Sequence, residues 1–388
     1  MRFSRHRSIF TLLAVAGLLC GGGVLFSRLR AQERREETQI APGITLLSVS
    51  TQTPSGPLRF WLVRAQKMVW QLGLQVADPQ NIAGKRSVRD MAGTSGATVA
   101  INGGFFAYDG AAVGAVKVGG EWQRLPWKSR TALMWNNDTA QIAPLAGRCE
   151  LSLTLQNGTT PIHDAALNGF SLPGTHTNLN DGFAVLMPRF GVKYKRKLGD
   201  EIAEFSDGQR ILRAQDELPG EISIPANGFL LVARGQAALT LRQVRTARWK
   251  VKLGAPQFDK FPNILGAGPR LIENSFVKTT EIAEEFRPDV VARGPRTAVG
   301  FDQNGNTLFL VADGRQAASV GLTIPETAQL FQSLGATEAI NLDGGSSTQL
   351  VIGGELINAP SGYDPVNPLR PREVRVINAL ILKAKSSS

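Results

Sequence analysis

Gly335-Ala336-Thr337-Glu338-Ala339-Ile340-Asn341-Leu342-Asp343-Gly344-Gly345 is the stretch on which the fold turns. It reads as a helix stop, a short apolar strand and a polar loop rich in glycine. Gly335 closes an amphipathic run over 326–334. Thr323 caps that run by accepting from otherwise orphaned N–H groups, and Pro325 sits in the first turn, where its missing N–H costs nothing. The same order of signals stands earlier in the chain. Gly96-Ala97-Thr98-Val99-Ala100-Ile101-Asn102 differs from Gly335-Ala336-Thr337-Glu338-Ala339-Ile340-Asn341 at one position of seven and runs on into Gly103-Gly104-Phe105-Phe106. A short helix over 88–92, ended by Gly93, precedes it. Either shared helix-to-strand grammar produces the echo, or two similar units bring their Asn-led loops to one face.

The rest of the chain points to strands. Residues 45–49 and 58–64 flank the turn Thr53-Pro54-Ser55-Gly56-Pro57, and 307–311 follow Asp302-Gln303-Asn304-Gly305-Asn306, whose Asn-Gly is a strong hairpin signal. Between 150 and 248 the pattern is strand and turn, with an alternating run at 151–155 and apolar runs at 182–187 and 228–233, so this part is expected to form a strand-rich insertion. A closing strand is expected over 374–381. With 41 Gly and 21 Pro among 388 residues, 43% of them apolar, the chain can bury a large core built from short strands and many turns. The expected fold is α+β, a large mixed sheet with few helices and Gly-rich loops gathered at one edge, occupying 40–388 after an N-terminal segment and linker over 1–39.

The net charge of +11 is uneven. Residues 1–37 hold seven Arg against three Glu, leaving about +7 for the remainder. That suits an anionic substrate or envelope surface. Nucleic acid is not expected as a partner, because it asks for a basic stripe with interleaved stacking aromatics, and the one dense run, Lys193-Tyr194-Lys195-Arg196-Lys197, reads as a solvated strand or hairpin. Arg2, Arg5 and Arg7 precede an unbroken apolar stretch over 9–26, which reads as a targeting segment. Its length and the lack of a clean cleavage site favour an uncleaved anchor over a signal peptide, and Leu19 before Cys20 does not fit a lipobox. The expectation is export to the periplasm or cell envelope, with the membrane touched only through that segment. Cys149 alone remains in the folded part, so stability must come from packing rather than from an intrachain disulfide.

Three loops could carry chemistry. Asn341-Leu342-Asp343-Gly344-Gly345-Ser346-Ser347 sets an acid, paired glycines and two hydroxyls directly after a buried strand, an arrangement that exposes backbone N–H groups beside a carboxylate; a tight bend with Asp343 capping its own backbone is the bland reading. Asp313-Gly314-Arg315 ends the strand at 308–312, placing Arg315 where its planar fork can hold a phosphate or carboxylate; a plain hairpin turn would look the same. Arg296 precedes another strand and is a second candidate cation. Asn102 and Asn341 could orient sugar hydroxyls beside Gly103 and Gly104, although Asn in a Gly loop often caps only local backbone.

Taken in order, Ile101-Asn102-Gly103-Gly104-Phe105-Phe106, Gly266-Ala267-Gly268-Pro269-Arg270-Leu271, Arg296-Thr297-Ala298-Val299-Gly300, Val311-Ala312-Asp313-Gly314-Arg315 and Asn341-Leu342-Asp343-Gly344-Gly345-Ser346-Ser347 resemble the phosphodiester glycosidase domain family. Leu356-Ile357-Asn358-Ala359-Pro360 and Val376-Ile377-Asn378-Ala379-Leu380 fit the same pattern. Ala267 departs from it, standing where the family has an unbroken Gly run. The resemblance implies cleavage between a sugar's anomeric carbon and a phosphodiester oxygen. It then implies Asp343 as first and Asp313 as second catalytic carboxylate for an oxocarbenium-like sugar. The anion falls to Arg315, Arg296 and the loop groups of Gly344, Gly345 and Ser346, with Asn102, Gly103, Gly104 and Asn341 lining the site.

Competing chemistries find less support. A serine hydrolase would need a His partner for Ser346 or Ser347, and only His163 and His176 lie outside the targeting segment; the Gly-x-Ser-x-Gly elbow is absent here. Zinc is not expected, for want of Cys-x-x-Cys or His-Glu-x-x-His, and no cofactor is expected. A hard divalent cation on Asp343, Asp313 and Asn oxygens stays open. The non-enzymatic alternative is an envelope protein that binds glycans with the same loops.

Overall fold

The computed structural model describes residues 33–107, 110–126, 128–170, 179–206, 209–211, 220–362 and 372–385. The targeting segment over 9–26, with Cys20, and His176 lie outside them. Among the described residues no helix is long and apolar enough to cross a membrane.

Strands dominate, as the turn-rich composition requires. The largest sheet has eight strands, all paired antiparallel. At its centre lie Gly56–Ala65, Thr307–Ala312, Arg296–Phe301, Glu338–Asn341 and Arg270–Glu273. Their middles are apolar because both faces of the sheet are covered there. Val63, Val299, Phe309, Val311 and Ile340 point into one core, while Leu62, Ala298, Leu308, Leu310 and Ala339 point into another beneath the helix Ile324–Ser333. Period-two alternation sorts neighbours onto opposite faces, so one strand serves two cores.

The first core is shared with two five-stranded sheets. One is centred on Val99–Asn102, flanked by Asn378–Ala384 and Leu350–Ile352; it supplies Val99, Ile101, Leu350, Ile352, Leu380 and Leu382. The other, with Asn263–Gly266 between Val116–Val118 and Arg130–Trp135, supplies Val116, Leu133, Trp135 and Leu265. Residues 147–253 build a separate seven-stranded sheet with its own apolar clusters. One parallel pair, Gly158–Leu167 with Gly182–Leu186, makes that sheet mixed.

Two element ends differ from expectation. The first helix runs Val88–Ser95, past Gly93, because Gly93 keeps an ordinary helical backbone; Gly96, at φ +67°, is the residue that turns left-handed and closes the last turn onto Ala92 and Gly93 carbonyls. The closing strand is Asn378–Ala384 rather than 374–381, with Val376 joined to Arg86 by an isolated bridge. The expected hairpin at the start is present as Ile44–Thr53 and Gly56–Ala65, and Asn304-Gly305 turns Arg296–Phe301 into Thr307–Ala312.

Candidate active site

The two echoing stretches occupy equivalent places in different sheets, Val99–Asn102 central in a five-stranded sheet and Glu338–Asn341 in the eight-stranded one. Their C-terminal ends meet at one end of the shared core. Asn102 donates from Nδ2 to the Asp343 carbonyl at 2.6 Å, and the Asp343 N–H donates to the Gly103 carbonyl at 3.0 Å. Gly103 can make this approach only without a side chain, since a Cβ there would lie 2.0 Å from Asn378 Oδ1. That same oxygen accepts the Gly104 N–H at 2.9 Å.

Asp343 is half-buried as a residue while its carboxyl is enclosed by protein. Burial pushes the carboxyl up to about 7, against hydrogen bonds from the Ser347 hydroxyl and the Gly344 N–H that favour its charged form. Asp313 is 2% exposed and is pushed up to about 6, again by burial, opposed by bonds from Asn358 and Ala359 and by the charge of Arg59. Its carboxylate is occupied: Oδ1 accepts from Asn358 Nδ2 at 3.0 Å and from the Ala359 N–H at 3.1 Å. Asp313 therefore ties its own loop to residues 358–359, an arrangement that suits a support better than a nucleophile.

The cations divide in the same way. Arg296 is 3% exposed and gives its guanidinium to backbone: Nε to Leu322 O at 2.9 Å, Nη1 to Val290 O at 2.7 Å, and Nη2 to Val291 O and Ala292 O. Four of its five N–H groups are held by these carbonyls, so it stands as a fixed buried charge rather than as an open fork for a phosphate. Burial and then the neighbouring charge of Arg315 push it down to about 10. Arg315 is exposed, and its guanidinium lies against Gly345, 3.2 Å from where a Cβ would stand. Its backbone is left-handed at φ +58°, a conformation that costs a non-glycine residue roughly 1 kcal/mol and that gathers at functional sites.

The loop amides are also committed. Gly345 N–H donates to Pro295 O at 3.0 Å and Gly344 N–H to the Asp343 carboxylate, so neither is free for an anion as the sequence suggested. Ser346 stays half-buried beside them. Asn341, 0% exposed, donates from Nδ2 to Gly268 O at 3.0 Å and Leu342 O at 2.7 Å, leaving Oδ1 buried without a partner; Gln349 Oε1 and Thr348 Oγ1 are in the same position. Neither Asn102 nor Asn341 presents a free carboxamide to a sugar. Ala267, the departure in the Gly run, places its methyl in the shared core, while the close approaches fall on Gly266, beside Ala115, and Gly268, beside Glu284 and Phe286.

The residues that sequence reasoning left without a role are Asn358, Asn378, Thr297 and Gln349. A signal for the first two was present: the pair Ile-Asn recurs at 101–102, 340–341, 357–358 and 377–378, and all four asparagines are buried. Each fixes the backbone or acid of a neighbouring loop. Among the described residues no group of three or more His, Cys, Asp or Glu could hold a metal ion.

Residues 201–382, which take in Arg296, Asp313, Arg315 and Asp343, match the family model for phosphodiester glycosidase. This match supports the resemblance to the phosphodiester glycosidase family that the sequence motifs carry. Over 99 residues, 25% of the chain, it is 36% identical to the N-acetylglucosamine-1-phosphodiester alpha-N-acetylglucosaminidase of Mus musculus and, over an equal length, 37% identical to that of Homo sapiens. The aligned part spans 19% of each of those enzymes. A solved Synechocystis protein of hypothetical function aligns over 91% of this chain and 64% of its own, with a TM-score of 0.75 and 26% identity. A Burkholderia pseudomallei protein shares the fold at a TM-score of 0.67 and 23% identity, over 86% of this chain and 75% of its own. The phosphodiester glycosidase match leaves out Asn102, which the fold alone brings to the site.

Proposed function

We propose that this chain hydrolyses a sugar-1-phosphodiester, cleaving the bond between the anomeric carbon and a phosphodiester oxygen in an exported glycan or phosphoglycan. The observation that carries the reading is that the enclosed acid Asp343 and the exposed guanidinium of Arg315 stand on adjoining loops, Arg315 lying against Gly345, two residues beyond Asp343. A phosphodiester brings a single negative charge next to the reacting carbon. Arg315 holds that charge, and the buried Arg296 behind it adds positive potential without touching the ligand.

As the C–O bond breaks, the phosphate monoester leaves with the electron pair and the sugar gains oxocarbenium character, which the ionised Asp343 stabilises. Water adds at the anomeric carbon and its proton passes to solvent or to Asp343. Because a phosphate monoester is a good leaving group, no second strong acid is required, which agrees with Asp313 being engaged in holding residues 358–359. Export to the cell envelope belongs to the same proposal. It is supported by Arg2, Arg5 and Arg7 before the apolar stretch at 9–26.

The test is release of phosphate monoester and free sugar from a panel of sugar-1-phosphodiesters by the wild-type chain and Asp343→Asn. The expected result is turnover by the wild type, rising with pH through about 7, and a loss of a hundredfold or more in the variant. Equal turnover by both would remove Asp343 from the mechanism. Binding of the diesters without turnover by either would make the protein a glycan-binding envelope protein instead.

A further inference from the structure

A closed ring of hydrogen bonds crosses the seam between the eight-stranded sheet and the sheet centred on Val99–Asn102. The Leu342 N–H donates to the Thr297 carbonyl at 2.9 Å, and the Thr297 hydroxyl donates to Asn102 Oδ1 at 2.8 Å. Asn102 Nδ2 then donates to the Asp343 carbonyl at 2.6 Å, and the Asp343 N–H returns to the Gly103 carbonyl at 3.0 Å. Asn102 Oδ1 accepts once more, from the Gln349 N–H at 3.1 Å. Thr297 and Asn102 are both 0% exposed.

From this ring we infer that Asn102 and Thr297 are positioning residues that fix the Asp343 loop, and that neither is a ligand for the sugar. The inference rests on the reading of Asp343 as the reacting acid. Both oxygen-directed donors fall on Asn102 Oδ1, so the carboxamide has one orientation in which every bond is made; rotating it by half a turn would set an NH2 against two donors and a carbonyl against a carbonyl. Asn102 thereby holds both peptide groups of Asp343 through its side chain and its following residue. Thr297 completes the orientation from the opposite sheet, and its own carbonyl anchors the residue before Asp343. A buried network of this kind is worth keeping only when every member is satisfied, which makes it sensitive to the loss of a single hydroxyl.

Two variants test the ring and one controls it. Asn102→Asp is isosteric but turns the donor facing the Asp343 carbonyl into an acceptor. Thr297→Val removes only the hydroxyl, and Thr297→Ser keeps it. The charged groups beside the Asp343 loop are Arg296 against Gly344 and Arg315 against Gly345, and no variant alters these two; Asn102→Asp adds a carboxyl beside the loop that raises the midpoint by itself, so Thr297→Val, which adds no charge, is the deciding variant. Each protein is examined by carbon-13 titration of the Asp343 carboxyl, identified by its loss in Asp343→Asn, and by steady-state kinetics on a sugar-1-phosphodiester. Loosening the backbone weakens the bonds from Ser347 and Gly344 to the carboxylate, so in Thr297→Val and Asn102→Asp the titration midpoint rises by about half a pH unit or more. In the same variants kcat falls about ten- to a hundredfold with KM nearly unchanged, because the reacting atom is misplaced while the anion site stays. Thr297→Ser behaves as the wild type. Folded Thr297→Val with the wild-type midpoint and kcat overturns the inference, whatever becomes of Asn102→Asp. If the wild type turns over no sugar-1-phosphodiester, the proposed function fails while the titration still decides: a moved midpoint upholds the ring and an unmoved one overturns it.

Discussion

Arg315 and Asp343 show what single residues contribute. Arg315 holds a strained left-handed backbone at φ +58°, so its position is bought at the expense of stability. Replacing it with Ala is expected to lower kcat/KM about a hundredfold, and with Lys about tenfold, since Lys keeps the charge and loses the planar fork. Steady-state kinetics on the two variants separates charge from geometry. Asp343 makes a prediction about stability. Its folded carboxyl is raised above the ordinary value of 3.8 to about 7, so the folded state binds the extra proton between those values. Its contribution is fully present below about pH 3.8 and is lost as pH rises through about 7. Asp343→Asn removes that loss, and urea unfolding at pH 8 should find the variant more stable by roughly 1–3 kcal/mol. Equal stability at pH 8 would mean that the carboxyl is better solvated than its surroundings indicate.

Among the elements, the helix Ile324–Ser333 was legible from its ends. Thr323 and Glu326 form the reciprocal capping box, and Pro325 sits in the first turn. What the spacing could not show is that this N-terminus abuts the site: Leu322, just before the cap, accepts from Arg296 Nε, and Glu326 pairs with Arg293. Thr323→Ala is therefore expected to cost about 1 kcal/mol in thermal or urea unfolding, with little change in KM under the proposed mechanism, in which Arg296 acts on the anion only through its field. The first helix was legible in place but not in length. Gly93 and Gly96 look alike in sequence, and only the backbone reveals which of them takes the positive φ. The buried asparagines at 102, 341, 358 and 378 carried a visible Ile-Asn signature, yet their work is backbone-holding, which a residue type alone does not declare.

At the scale of the molecule, the seven-stranded sheet of 147–253 folds around Cys149, which is 0% exposed and whose thiol burial pushes up to about 12. A thiol so placed is neither ionised nor reachable. Thiol reagents at neutral pH should leave Cys149 unlabelled in the folded protein, with labelling appearing only as denaturant opens that sheet; mass spectrometry of the labelled chain reads this directly. Fast labelling without denaturant would show that this sheet opens far more readily than its packing allows.

The sequence by itself determined the strand-rich character, the capped helix before Glu338–Asn341 and the three loops at Asn102, Asp313 and Asp343, because hydrophobic period, caps and turn residues act over a few neighbours and leave local traces. Only the tertiary structure decided which groups remain free. Arg296 and Arg315, or Asp313 and Asp343, are alike as residues. What separates them is which carbonyls and amides come within about 3 Å of their side chains, some near in the chain, such as Val290 and Val291 for Arg296, and others distant, such as Leu322 for Arg296 and Asn358 and Ala359 for Asp313. Those partners are chosen by the packing of three sheets around a shared core, a sum of many long-range contacts that no short stretch of chain contains.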